Sequence, residues 1–256
     1  MRMYVYLYDN MLRRKQYDAL IKTMETRLTD YSIAGKIIRL QHFTNPERII
    51  EEEKKMGAST VVIVGDNATF GHVLSRAAGS DVLFGFLPIG PDNSVAQVLG
   101  IPVGIEACDV LAQRRKVSLD VGWFNNRYFV SQLHIPPSDI TVEYDEKFRV
   151  SSRQGRIELV VCNLQPFVWK ETKRTREVVV HPQDGKLEAF LRPMEKKTWF
   201  RTQYDEPSIF PFEEMVVTGA VAFPVEADGR VTKEKRITIR LAKNRISMIV
   251  GKQRKF

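Results

Sequence analysis

The apolar pattern of this chain changes period once, near Ile105, and that change constrains the fold more tightly than any other feature of the sequence. Before it, strands and helices alternate. Met3 to Tyr8 reads as a strand, and Leu12, Leu20, Ile21, Met24 and Leu28 then mark one helical face at spacings near ~3.6 residues. Lys36 to Leu40 is a short strand, and Pro46 sits in the first turn of a helix that Gly57 closes. Thr60 to Val64 is a β-branched run of the kind buried on both faces, followed by a helix over Thr69 to Ala78. Val82 to Leu87 supplies another strand and Ser94 to Leu99 a short helix. Such alternation predicts a mainly parallel sheet covered by helices.

After Ile105 the helical period disappears. Short strands are predicted at Val117 to Val121, Arg127 to Leu133, Ile140 to Tyr144, Arg156 to Leu164, Glu177 to Val180, Leu187 to Arg192, Met215 to Val221, Arg236 to Leu241 and Arg245 to Val250. Turn residues such as Asn125-Asn126 and Asp228-Gly229 separate them. The fold class is therefore α/β followed by all-β, the second part an antiparallel sandwich. Whether the last strands rejoin the first part is left open by the pattern.

The 256 residues are 43% apolar and 27% charged, the mixture of a folded chain. The longest almost uncharged apolar stretch, Val82 to Gly90, is far shorter than the ~20 residues that span a bilayer. Cys108 and Cys162 cannot build a disulfide framework, and no His stands near either at zinc-ligand spacing. A reducing, cytoplasmic setting with both thiols structural is expected. Thirty-nine Lys and Arg against 31 Asp and Glu leave a net charge of +8, which favours an anionic partner. The basic clusters fit nucleotide phosphates, an anionic lipid surface or nucleic acid, and equally a basic surface with no particular partner.

Two loops share one design. Val61 to Val64 runs into Gly65-Asp66-Asn67-Ala68-Thr69, and Phe84 to Ile89 runs into Gly90-Pro91-Asp92-Asn93-Ser94. Each is a strand, a glycine, Asp-Asn, a hydroxyl residue and a helix. Asn, Thr and Ser suit helix caps. The place beyond the carboxyl ends of parallel strands also suits a ligand crevice.

With their surroundings, these loops resemble the diacylglycerol kinase catalytic domain, shared by bacterial lipid kinases and sphingosine kinases. Val61 to Leu74 aligns without gaps to that family's Gly-Gly-Asp-Gly-Thr loop, and Phe86 to Pro102 (FLPIGPDNSVAQVLGIP) is similar to its second signature. Leu119-Asp120-Val121-Gly122 with Arg127 to Val130 is similar to its Asp-Leu-Gly and Tyr-Phe hairpin, and His181 to Glu188 to its Ala-x-x-Asp-Gly-x-Leu-Asp site. The resemblance implies a nucleotide-binding domain over residues 1–105 and a β-sandwich lipid kinase-like domain over 106–256. ATP would lie between them and a diacylglycerol-like hydroxyl would receive its phosphoryl group. Gly65, Asp66, Asn67, Thr69, Gly90, Asp92 and Asn93 would bind the nucleotide, and Asp184 would act as general base with Glu188 as acidic partner; the Asp66 and Asp92 carboxylates, by their own chemistry rather than by the resemblance, either hold Mg²⁺ or oppose the polyphosphate.

The sequence departs from the family at several of these positions. Asp66, Asn67 and Ala68 replace Gly, Asp and Gly of the first loop, and Pro91, Asp92 and Ser94 replace Thr, Gly and Asp of the second. Two unit charges ~4 Å apart interact by about 4 kcal/mol at an effective dielectric near 20, so added carboxylates oppose a bare polyphosphate. A divalent cation reverses the sign. Two function classes follow: an ATP-dependent lipid kinase, or a non-catalytic relative that binds nucleotide, lipid or protein. A nucleic-acid role rests on charge alone. Phe167 and Trp169, ahead of the Lys170 to Arg176 basic run, suit a contact at an anionic membrane surface or a place in the sandwich core. The chain is also compatible with a homodimer.

Overall fold

The computed structural model describes residues 3–41, 44–144, 148–151, 155–171, 174–198, 201–204 and 206–256. The chain forms two compact units, Met1–Leu119 with Asn244–Phe256, and Asp120–Lys243. This differs from the division at 105/106 expected from the pattern, because the segment after Ile105 and the end of the chain both complete the first sheet.

The first unit contains β1 (Met3–Tyr8), α1 (Asp18–Asp30), β2 (Lys36–Arg39), α2 (Pro46–Lys55), β3 (Ala58–Gly65), α3 (Asn67–Ala77), β4 (Leu83–Pro88), α4 (Ser94–Val98), α5 (Ala107–Gln113), β5 (Lys116–Leu119) and the last strand, β19 (Ile246–Ile249). The sheet order is β2-β1-β3-β4-β19-β5. All neighbours are parallel except β19 and β5. The helix expected from Leu12 begins only at Asp18, after two 3-10 turns at Asn10–Arg13 and Lys15–Tyr17. Helix α5 was not legible, since seven residues give too little period to separate from a buried strand. β3 is buried along nearly its whole length, which explains its unbroken apolar run. Phe70, Val73, Leu74 and Ala77 form the buried stripe of α3, with Phe70 packed on Phe86 of β4 at 4.8 Å between ring centroids.

The order of strands reverses beside β1: β2 lies on one side and β3 on the other. A crevice opens at such a switch point, outside the carboxyl ends of the strands. Asp9 follows β1 there and Asp66 follows β3.

The second unit is a large antiparallel sheet made of β6 (Gly122–Phe124), β7 (Arg127–Phe129), β8 (Gln132–Ser138), β9 (Ile140–Tyr144), β10 (Phe148–Ser151), β11 (Arg156–Cys162), β14 (Leu187–Thr198), β15 (Arg201–Tyr204), β16 (Ser208–Phe212), β17 (Glu214–Ala227) and β18 (Arg230–Leu241). A separate ribbon pairs β12 (Phe167–Glu171) with β13 (Arg174–Val178). Alternate residues such as Leu133, Ile135, Leu159, Val161, Leu187, Ala189, Val217, Val225, Ile237 and Ile239 meet in one core, so the sheet folds over its own inner face. Asn125 and Asn126 both take positive φ, 40° and 65°, as the tight β6–β7 hairpin turn requires. β12 and β16 were not anticipated as strands.

Candidate functional site

In the first unit, each sequence-predicted loop residue has a defined job. Asp66 is the N-cap of α3, its Oδ1 accepting the Thr69 N–H at 3.1 Å. Thr69 donates its hydroxyl to Asp9 Oδ2 at 2.5 Å and lies 3.2 Å from Asp66 Oδ1. Asp9 had not been assigned to the site. Its position directly after the first strand was the available signal, but only the sheet order brings it beside β3.

Asn67 is 8% exposed and ties the two loops together. Its Nδ2 donates to Asp92 Oδ1 at 2.7 Å and to Ser94 Oγ at 2.8 Å, and its backbone N–H donates to the Asp92 carbonyl at 3.0 Å. Its Oδ1 accepts the Val95 N–H at 3.3 Å. It is thus a bridge rather than a helix cap. The Ile89 N–H donates to the Gly65 carbonyl at 2.7 Å, a second link between the loops. Gly90 has φ +123°, and a Cβ there would press on Met11 Cε and approach Asp66 Cβ at 3.2 Å. Asn93 stands at the N-cap of α4, but its Nδ2 turns back to the Gly90 carbonyl at 2.8 Å. Its Oδ1 is buried and has no hydrogen-bond partner among the described residues.

The structure therefore brings Gly65, Asp66, Asn67, Thr69, Gly90, Asp92 and Asn93 to one end of the parallel sheet. Among the described residues no group of three or more His, Cys, Asp or Glu side chains gathers to hold a metal ion. The oxygens on offer are the carboxylates of Asp66 and Asp92 and the orphaned Asn93 Oδ1. These are hard oxygen donors, which suit Mg²⁺ when the phosphates of a nucleotide supply further ligands. They do not suit a bare polyphosphate, because the α3 N-terminal N–H of Thr69 is already satisfied by the chain's own carboxylate.

In the second unit, Asp184 sits in the turn before β14 and accepts the Lys186 N–H at 3.1 Å through Oδ1. Glu188, the second residue of β14, is half-buried and pairs across the sheet with Cys162. Burial, followed by the charge of Asp184, pushes the Glu188 carboxyl up from the usual 4.5 to about 7, and Asp120 pushes it in the same direction. Cys162 is deeply buried, and its thiol is pushed well above its ordinary range by burial and by Glu188. Cys108 is also buried, and neither cysteine is in a disulfide.

Phe167 and Trp169 take the core alternative of the two expected from the sequence. Phe167 is 6% exposed and stacks on Phe190 at 4.3 Å, while Trp169 packs on the same small core. Thr172 and Lys173 of the following basic run lie outside the described residues. No helix among the described residues is long and apolar enough to cross a membrane.

Residues 8–124 match the family model of the diacylglycerol kinase catalytic domain. No curated protein sequence matches the chain. Among solved structures, a diacylglycerol kinase of Bacillus anthracis str. Sterne is similar with a TM-score of 0.76 at 12% identity, over 99% of this chain and 98% of that one. Two further diacylglycerol kinase-like proteins of that strain are similar. One has a TM-score of 0.74 at 13% identity, over 98% of this chain and 97% of its own. The other has a TM-score of 0.76 at 14% identity, over 98% of both chains. At such identities the likeness speaks for the fold.

Proposed function

We propose, from the match of residues 8–124 to the family model of the diacylglycerol kinase catalytic domain, that this chain catalyses ATP-dependent phosphoryl transfer to the hydroxyl of a diacylglycerol-like lipid. The observation that carries this reading is the pair Asp184 and Glu188, with the Glu188 carboxyl at about 7. A general base works best when its proton affinity matches the operating pH, and such a group contributes roughly 10²–10⁴-fold. Glu188 takes the proton of the acceptor hydroxyl, while Asp184, fixed in its turn, keeps that proton on Glu188 favourable. This exchanges the roles implied by the resemblance, with Glu188 as base and Asp184 as its partner.

Asp66, Asp92 and the orphaned Asn93 Oδ1 would hold Mg²⁺ with the nucleotide, and Gly65, Asn67, Thr69 and Gly90 would shape the loops around it. When bound there, magnesium ATP would supply the phosphoryl group and the cation would offset the charge on the transferring phosphate. On this reading the lipid is met at an anionic membrane surface on the cytoplasmic side.

One observation favours a second reading. Asp66 fills the place at the start of α3 where an anion would be received, and Asn67 locks the loops together. A relative that has lost catalysis and serves as a nucleotide-, lipid- or protein-binding module has the same features. Thermal unfolding with millimolar ATP separates the two. A kinase is stabilised by ATP only with magnesium, by about 2.7 kcal/mol at ~100 times Kd, and labels diacylglycerol in mixed micelles. Absence of any shift, with or without Mg²⁺, sinks the kinase reading.

A further inference from the structure

Phe167 and Trp169 pack inward, and the most exposed large apolar side chains lie elsewhere. Among the described residues they are Val221, 67% exposed, and Val231, 62% exposed. Both belong to the β17–β18 hairpin of the second unit. The pairing of these strands breaks between Thr218 and Phe223, where Gly219 to Ala222 stand opposite Lys235 alone. β17 also changes neighbour there: it follows β9 as far as Gly219 and joins β8 at Glu226. A strand that turns such a corner needs extra residues. It does not need them apolar, yet Ala220, Val221 and Ala222 are all exposed. The protrusion is tight, since a Cβ on Gly219 would lie 2.8 Å from Phe223 Cδ1 and 2.9 Å from the Val221 carbonyl oxygen.

Cations surround these apolar tips. Phe223 and Val225 are in the core, so their partners Glu234 and Thr232 turn inward while Val231 and Lys233 turn out. Arg230, Lys233, Lys235 and Arg236 are all exposed. Glu234 is held on the other side, its Oε2 accepting from Asn125 Nδ2 at 3.4 Å and its Oε1 3.9 Å from Arg127 Nη1. The exposed acids beside the patch are Glu226, opposite Val231, and Asp139, whose carbonyl oxygen would lie 3.3 Å from a Cβ on Gly219. A protein partner fits this surface poorly. Protein interfaces bury about 800 Å² on each side around a core depleted in Lys, and here two valines are held apart by lysines. An anionic bilayer accepts both kinds of residue: short apolar tips enter the acyl boundary while the Lys and Arg stems reach the headgroups.

We propose that the outer face of the β17–β18 hairpin docks on an anionic phospholipid bilayer, with Val221 and Val231 inserted and Lys233 and Lys235 on the headgroups. That a bilayer is met at all rests on the lipid reading given above, but docking is measured without catalysis, so the two can fail separately.

The full chain is sedimented with vesicles of phosphatidylcholine alone and of phosphatidylcholine mixed with phosphatidylglycerol. Binding is expected to the mixed vesicles and weakens as salt rises. Lys233→Gln combined with Lys235→Gln lowers the partition coefficient about 30-fold, the worth of two cations near an anionic surface. Val221→Ala lowers it about tenfold, through two methyl groups withdrawn from hydrocarbon. Lys22→Gln combined with Lys55→Gln, exposed on α1 and α2 of the first unit, removes the same charge and leaves binding nearly unchanged. All these side chains are exposed, so the variants keep their melting temperatures. Equal losses from the two lysine pairs would mean attraction by net charge alone, and an unmoved Val221→Ala would mean that nothing inserts. Either result overturns the proposal, as does failure to bind the mixed vesicles. If the chain binds vesicles but labels no diacylglycerol in mixed micelles, the kinase reading fails and the docking surface stands. The reverse result removes the docking surface and leaves the kinase.

Discussion

Glu188 keeps its proton to about pH 7 in the folded chain, against 4.5 for an ordinary glutamate. Between those values the unfolded chain has released a proton that the folded chain retains. The stabilisation this gives is complete below the unfolded value and is lost as pH rises through the folded one. Glu188→Gln removes this dependence. Melting curves should therefore show the unaltered protein losing stability relative to Glu188→Gln as pH climbs from about 4.5 to about 7. Parallel curves across that window would mean that Glu188 is not held in this way. As a catalytic test, Glu188→Gln should lower transfer roughly 10²–10⁴-fold while the magnesium-ATP thermal shift persists. The identities of Asp184 and Glu188 were legible through the resemblance. The upward shift of the Glu188 carboxyl was not, because its burial comes from strands far apart in sequence that pack beside it.

At the scale of the element, α3 turns on which residue opens it. The strand, glycine, Asp-Asn, hydroxyl, helix pattern announced both loops correctly, and the apolar stripe after Thr69 located the helix. The pattern could not show that Asp66 does the capping while Asn67 reaches across to the neighbouring loop. That choice depends on β4 lying beside β3, which the local sequence does not encode. Asp66→Ala removes the cap and should cost about 1 kcal/mol in urea unfolding. It should also report on the metal: nucleotide affinity rises if the carboxylate obstructs phosphate and collapses if it holds magnesium. Asn67→Ala removes part-buried hydrogen bonds to Asp92 and Ser94 and leaves the buried Val95 N–H without its acceptor, and should cost about 1–3 kcal/mol. A midpoint unchanged in urea would show the loops to be held by something other than this bridge.

Over the whole molecule, the strand predicted at Arg245 to Val250 exists, as β19, but the pattern did not say which sheet it joins. It pairs in parallel with β4 and antiparallel with β5. A strand's composition reports burial rather than partner, so this long-range choice was beyond local reading. The end of the chain is then clamped: the Gly251 N–H donates to the Leu99 carbonyl at 2.9 Å, and a Cβ on Gly251 would overlap the Gly100 carbonyl. Gly251→Ala should destabilise the first unit by at least about 1–3 kcal/mol, seen as earlier proteolysis within Met1–Leu119 than in the unaltered protein. Equal protease resistance would show that the clamp yields at little cost.

The position of β19 also sets a timetable. On a ribosome, β1 to β4 emerge early, yet the strand that belongs next to β4 follows only after every strand of the second unit. Until it arrives, β4 keeps an open edge that could recruit a foreign strand. A nascent chain must guard that edge while the whole of the second sheet is translated.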